Sequence, residues 1–297
     1  MTDRLPADTL RLGLPSGSLQ QSTIELFGRA GYRINIAERS VFPRIDDEKM
    51  SAVLFRAQEI SRYVADGIVD CGLTGYDWIV ENGNEKDVIE ICELCYSRAS
   101  SNPIRWVLAV PDESPVRRPE DLDGKIVATE LVQTTRKYFA AKKVNVTVEF
   151  SWGTTEIKAR LLDAIVECTE TGSSLRANNL KIIDTVLESN TQLIANRQSW
   201  LEEWKRRKLE DMKMLLDGAI NALGKVGLML NVHQDNLEAV LAVLPALKRP
   251  TISHLSDQEW LAVNTILDES TVRTIIPRLK QAGGEGIVEY PLNKIVL

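Results

Sequence analysis

Asp163-Ala164-Ile165-Val166-Glu167-Cys168-Thr169-Glu170-Thr171-Gly172-Ser173-Ser174-Leu175 carries the plan of the whole chain. Its short apolar run, bounded by acids, reads as a buried strand. Thr171-Gly172-Ser173-Ser174 then supplies small residues that leave backbone N–H groups uncovered. Leu175-Arg176-Ala177-Asn178 begins a helix, with Ser173 or Ser174 as its N-cap. Strand, small-residue turn and helix N-terminus together make a phosphate cradle, because unpaired N–H groups and the helix dipole both favour an anion. Glu167, at the end of the strand, is placed to accept hydrogen bonds from sugar hydroxyls beside that phosphate. For a motif this short the bland alternative is an ordinary strand-to-helix turn.

Working outward, Asp66-Gly67-Ile68-Val69-Asp70-Cys71-Gly72-Leu73-Thr74-Gly75 matches Asp163–Gly172 at six of ten positions, at a constant offset of 97, with Asp70 opposite Glu167. Both copies sit between helical patterns. This reads as an internal repeat, two α/β lobes facing each other with equivalent turns. Ligands of such sheets bind at the carboxyl ends of the strands.

The 297 residues are long for one core and imply two or three domains. At 44% apolar and 26% charged the chain has a globular composition, which excludes disorder. A net charge of −6 argues against a nucleic-acid surface, which needs a basic face. No apolar leader and no run of about eighteen apolar residues appears, so the expectation is a cytoplasmic protein with no membrane partner. Four cysteines are too few and too scattered for a disulfide framework. Cys92-x-x-Cys95 has metal or redox spacing, but lacks a second Cys/His pair and reads as small apolar strand positions.

In order, Leu10–Pro15 reads as a strand, Ser16-Gly17-Ser18 as a second anion-capable turn, and Ser22–Ala30 as a helix stopped by Gly31. Ser51–Ala65 has helical spacing, with Arg56 on its solvent side. Trp106–Pro111, Lys125–Thr129 and Val144–Phe150 read as strands, Thr134–Lys142 and Thr154–Leu162 as helices. Leu180–Leu187 and Thr191–Asn196 are strands, the latter returning to the first lobe. Trp200–Leu223 is a long charged connecting helix in which acids interleave with Arg206-Arg207-Lys208. Then come strand Val226–Val232, helix Asp235–Leu247, strands Thr251–Leu255 and Trp260–Leu267, helix Ser270–Gln281 and strand Gly286–Tyr290. The order βαββαβ is ferredoxin-like, and Leu292–Leu297 is a candidate edge strand. The expected division is 1–98 with 186–200 as lobe I, 99–185 as lobe II, 201–224 as connector and 225–297 as a third domain.

Asp-Ala-Ile-Val-acid-x-x-x-Thr-Gly-x-Ser-Leu-x-x-Asn resembles the phosphoribosyl-pyrophosphate (PRPP) loop of the ATP phosphoribosyltransferases of histidine biosynthesis. Leu12–Leu19, Arg56–Gly67, Gly72–Gly75 and Pro250-Thr251-Ile252…Trp260 extend the likeness to the long form of that family. The resemblance implies an α/β fold of two periplasmic-binding-protein-like lobes plus a ferredoxin-like regulatory domain, assembled as a homo-hexamer built from dimers. It implies that ATP and PRPP, with Mg²⁺, give N1-(5-phosphoribosyl)-ATP and pyrophosphate, and that histidine inhibits by binding the third domain.

Carried onto this chain, the resemblance assigns the 5′-phosphate to Glu170, Thr171, Gly172, Ser173 and Ser174, and the ribose hydroxyls to Glu167. It assigns ATP and pyrophosphate to Ser16, Gly17, Arg56, Asp70, Gly72 and Thr74, with Arg56 and Glu167 as the catalytic pair. Asn231, Leu247, Thr251 and Gly286 fall where histidine would bind. Metal ligands are left unassigned. The family's first loop carries basic residues, whereas Pro15-Ser16-Gly17-Ser18-Leu19 has none; triphosphate binding there rests on backbone N–H groups or on Arg39, Arg44 or Arg105. With only His233 and His254 in the chain, both in the third domain, histidine-based catalysis is excluded from the turns. Positioning two polyanions and stabilising the leaving group should dominate. The rival readings are a catalytically silent paralogue and a two-lobed anion-binding sensor.

Overall fold

Leu10, Leu12 and Leu14 give the strand Leu10–Ser16 (β1) a fully buried face, and lobe I forms around it. The computed structural model describes residues 8–96, 103–245 and 250–297. A short turn follows β1, then helix Gln20–Ala30 (α1), which ends at Gly31 with φ 106°, a left-handed cap that glycine adopts without strain. A small hairpin, Ile34–Asn35 (β2) with Arg44–Ile45 (β3), leads to Met50–Arg56 (β4), Ala57–Ala65 (α2), Cys71–Gly75 (β5), Tyr76–Asn82 (α3) and Val88–Leu94 (β6).

The chain then crosses into lobe II: Ile104–Pro111 (β7), Ile126–Thr129 (β8), Val132–Lys142 (α4), Thr147–Phe150 (β9), Thr155–Lys158 (α5), Ala164–Thr169 (β10), Ser173–Ala177 (α6) and Leu180–Ser189 (β11). Thr191–Asn196 (β12) returns to lobe I, and Arg197–Leu201 (α7) and Glu203–Asn221 (α8) follow. The sheet orders are β4-β1-β5-β12-β6 and β9-β8-β10-β7-β11. They match position for position. In each sheet the fourth strand is antiparallel to both neighbours and has just arrived from the other lobe.

Ser51–Ala65 is not one helix. Met50–Arg56 is extended and pairs in parallel with β1 from Leu10↔Met50 to Ser16↔Arg56. The helix starts only at Ala57, with Arg56 as extended N-cap. Burial of Met50, Ala52 and Val53 against the sheet overrides a spacing that suited either period. The helix expected over 154–162 shrinks to Thr155–Lys158, entered through Thr154 at φ 47°.

The chain divides by contacts into Met1–Lys213 and Met214–Leu297. In the second unit Lys225–His233 (β13), Leu237–Val243 (α9), Thr251–His254 (β14), Trp260–Asp268 (β15), Glu269–Gln281 (α10) and Gly284–Pro291 (β16) form the antiparallel sheet β14-β15-β13-β16. That is the ferredoxin-like order. Val226, Leu228, Leu230 and Val232 alternate onto one face and pack with Val240, Val272 and Leu279. Leu292–Leu297 adds no strand; Ile295 N–H donates instead to Gly218 O at 2.8 Å. Among the described residues no helix is long and apolar enough to cross a membrane.

Candidate active site

The parallel strands of both lobes point their carboxyl ends at one cavity of about 360 Å³. Lobe I contributes Ser16 and Gly17 after β1 and Arg56 at the end of β4; lobe II contributes Glu130 after β8 and Glu167 and Cys168 at the end of β10. Because β4 is a strand running beside β1, Arg56 lies next to the first turn: a Cβ on Gly17 would sit 3.9 Å from Arg56 Nη1. Gly17 itself has φ 84°. The basic charge missing from the Pro15–Leu19 loop is therefore supplied by its neighbouring strand. Arg105 sits opposite Thr169 on the lobe II sheet, and Arg44 in the small hairpin.

On the lobe II side, β10 ends at Thr169, whose hydroxyl accepts Gly172 N–H at 2.7 Å and so closes the turn Glu170–Gly172. The N-cap of α6 is Gly172, with φ 73°, rather than Ser173 or Ser174. A side chain there would be strained, and its Cβ would meet Arg176 Nη1 at 3.0 Å. Thr171 Oγ1 donates to Ser173 Oγ at 3.0 Å, and Ser174 Oγ to Glu156 Oε1 at 2.6 Å. The first-turn N–H groups of α6 have no intrahelical acceptor. Burial pushes the Glu167 carboxyl above its ordinary value, partly offset by a hydrogen bond from Thr155, while Cys168 N–H donates to Glu167 Oε1 at 3.0 Å.

Sequence reasoning missed Thr155 and Glu156, which brace Glu167 and Ser174, and Glu130, which lines the cavity with Glu167. The available signal is Gly153, a turn residue just ahead of the helix expected over 154–162. Trp106 and Trp78 also line the cavity, rings edge to face at 6.2 Å.

Asp70, Gly72 and Thr74 lie elsewhere. Asp70 N–H donates to Arg11 O, and Asp70 Oδ2 accepts Arg11 N–H at 2.8 Å; Asp163 makes the same two contacts with Ile126, at 3.2 and 2.9 Å. The lobes therefore superpose Asp70 on Asp163, an offset of 93 and not 97. Asp70 is at the amino end of β5, buried, and bonded to Arg11, Ser199 and Lys205. Those donors outweigh the burial that opposes its charge and hold its carboxyl down at about 2. Gly72 is a packing glycine whose Cβ would strike Ile60 Cγ2 at 2.5 Å. Thr74 is buried and donates to Ala57 O at 2.8 Å. The repeat misled because Thr-Gly precedes a helix in both lobes, but lobe II inserts extra turn residues before that helix.

In the second unit Asn231 and Gly286 are brought together where β13 and β16 slip register; a Cβ on Gly286 (φ 54°) would lie 3.5 Å from Asn231 Nδ2. Thr251 is exposed on edge strand β14, opposite Asn264, bordering a separate cavity of about 540 Å³ with Tyr290 and Ile295. Leu247 lies outside the described residues. Among the described residues no cluster of three or more His, Cys, Asp or Glu could hold a metal ion.

A family model described as ATP phosphoribosyltransferase matches residues 56–218, and a second, described as HisG, C-terminal domain, matches 222–294. An ATP phosphoribosyltransferase of Solibacter usitatus is 69% identical over 97% of this chain and 99% of its own length. Another from Chlorobium luteolum is 57% identical over 97% of each. A solved chain of the ATP phosphoribosyl transferase (HisG:HisZ) complex from Thermotoga maritima is 25% identical, with a TM-score of 0.60, and spans 70% of this chain and 99% of its own.

Proposed function

The chain belongs to the ATP phosphoribosyltransferase family, and from that premise we propose how its cleft carries out the reaction. The enzyme condenses ATP with PRPP to N1-(5-phosphoribosyl)-ATP and pyrophosphate, the first step of histidine biosynthesis. Adenine N1 attacks the anomeric carbon as pyrophosphate leaves, through a transition state with positive charge on the sugar ring. The observation that carries the reading is the meeting, at one cavity, of Glu167 near the end of β10 with Arg56 beside Gly17; residues 170–174 follow Glu167 in the chain but do not themselves line that cavity.

In this reading Thr171, Gly172, Ser173 and Ser174 hold the 5′-phosphate with first-turn N–H groups and hydroxyls. Glu167 takes the ribose hydroxyls and, as an anion, stabilises the developing positive charge. Arg56, whose planar fork suits phosphate oxygens, meets the leaving pyrophosphate or the triphosphate beside Ser16 and Gly17. Asp70, Gly72 and Thr74 keep structural roles.

Mg²⁺ fits the donor set as a companion of the substrate. It is commonly held by one or two carboxylates plus phosphates, and the cleft offers Glu130 and Glu167. When bound it neutralises charge on the pyrophosphate. Histidine would inhibit through the second unit at Asn231 and Gly286, and the working assembly would be a homo-hexamer in the cytoplasm. The test is ultraviolet absorbance with ATP, PRPP, Mg²⁺ and pyrophosphatase, with and without histidine. We expect a rise that needs both substrates and falls with histidine. PRPP binding without a rise overturns the activity, and a rise insensitive to histidine overturns only the regulatory part.

A further inference from the structure

Helix α3 of lobe I carries two acids, Asp77 and Glu81, on one face at i and i+4. Both spend their carboxylates on lobe II. Glu81 accepts Gln133 N–H at 2.9 Å, Thr134 N–H at 2.8 Å and the Thr134 hydroxyl at 2.8 Å. Those N–H groups open α4 and have no intrahelical acceptor. The N-cap residue of α4, Leu131, has no side-chain oxygen to offer. A carboxylate from the opposite lobe thus caps this helix.

Asp77, one turn earlier, is 2% exposed. Its Oδ2 accepts the Trp106 indole N–H at 2.7 Å and its Oδ1 the Ser189 hydroxyl at 2.9 Å, while its own N–H donates to Ser189 Oγ at 3.0 Å. Trp106 belongs to β7, the strand that has just entered lobe II, and Ser189 ends β11, the strand about to leave it. One short helix therefore grips the second lobe at both crossing points and at a helix beyond them.

We infer that Asp77 and Glu81 form an interlobe lock, a pair of positioning residues that sets the width of the cleft. The lock fixes how far the Arg56–Gly17 corner stands from the Glu170–Ser174 turn. Transfer between two bound substrates depends on that separation, so the kinetic arm below rests on the proposed reaction; the structural arms do not. Three donors converge on the two oxygens of Glu81. A glutamine offers one oxygen and turns an NH₂ toward the remaining donors, so it replaces the carboxylate only in part.

The experiment uses the full chain with Glu81→Ala, Glu81→Gln and, as control, Glu85→Gln beyond the end of α3. Fluorophores attached through unnatural amino acids at exposed Glu25 and Lys137 report lobe separation by energy transfer. Hydrogen exchange reports the Gln133 and Thr134 amides. Glu81→Ala should lower transfer efficiency and speed exchange at those amides about tenfold. It should also raise KM for PRPP and ATP about fivefold, more than it lowers kcat. Glu81→Gln should fall between wild type and Glu81→Ala, and Glu85→Gln should match wild type. Should Glu81→Ala fail to fold, Glu81→Gln carries the test. Unchanged energy transfer and exchange in both Glu81 variants would overturn the lock, whatever the activity. A wild-type protein without turnover, whose Glu81 variants still open, would keep the lock and remove the proposed reaction.

Discussion

The two lobes share a sheet order and a crossing scheme, yet they use the same topological position for opposite ends. In lobe II, β10 runs on to Thr169, a glycine at φ 73° bends the chain, and a turn of small residues precedes the helix. In lobe I, β5 runs straight into α3, so that the strand offset of 93 carries turn residue Glu170 onto the buried Asp77, already inside a helix. One turn ends in the first-turn N–H groups of a helix, which we propose receive an anion; the other supplies acids to its partner lobe. A scaffold duplicated in outline therefore specialises through a few residues of turn length, because that length decides whether helix N–H groups or helix acids face the gap.

The largest test of this comparison concerns the superposed acids. Asp70 is buried with Lys205, whereas Asp163 and its partner Lys125 stay 35% and 40% exposed. Asp70→Asn should cost about 3 kcal/mol in denaturant unfolding, because it strands buried charge. Asp163→Asn should cost about 1 kcal/mol or less; equal losses would show that the lobes do not differ here. Asp70 is depressed in the folded state, so its contribution is present above its unfolded value. It disappears as pH falls toward about 2. The stability gap between wild type and Asp70→Asn should close over that acid window.

Next in size is the glycine pair. Gly172→Val should raise KM for PRPP about a hundredfold, near 2.7 kcal/mol, with the fold kept. In Gly75→Ala the new Cβ would lie 1.9 Å from Asp77 Oδ1, so thermal stability should fall instead. Reversal of these two phenotypes would sink the division of labour between the turns. Smaller still, Arg56→Lys should lower kcat/KM about tenfold, since an ammonium keeps charge but loses the bidentate fork. An unchanged value would remove Arg56 from the leaving-group side.

Local chemistry was legible in the residues themselves. The Ala164–Thr169 strand, the return of Thr191–Asn196 to lobe I and the βαββαβ order of the last unit all follow from period and punctuation. So did the Thr171–Ser174 turn and Glu167, because strand, small residues and helix start are contiguous in the chain. What tertiary structure alone decided is register and reach. Whether Asp70 superposes on Asp163 depends on a bond to Arg11, fifty-nine residues away. Arg56 beside Gly17 depends on β4 pairing with β1, and Glu81 on α4 depends on one lobe meeting the other. Periodicity encodes which side of an element is buried, but not which distant backbone group will meet it; that choice is made only when sheets and lobes close.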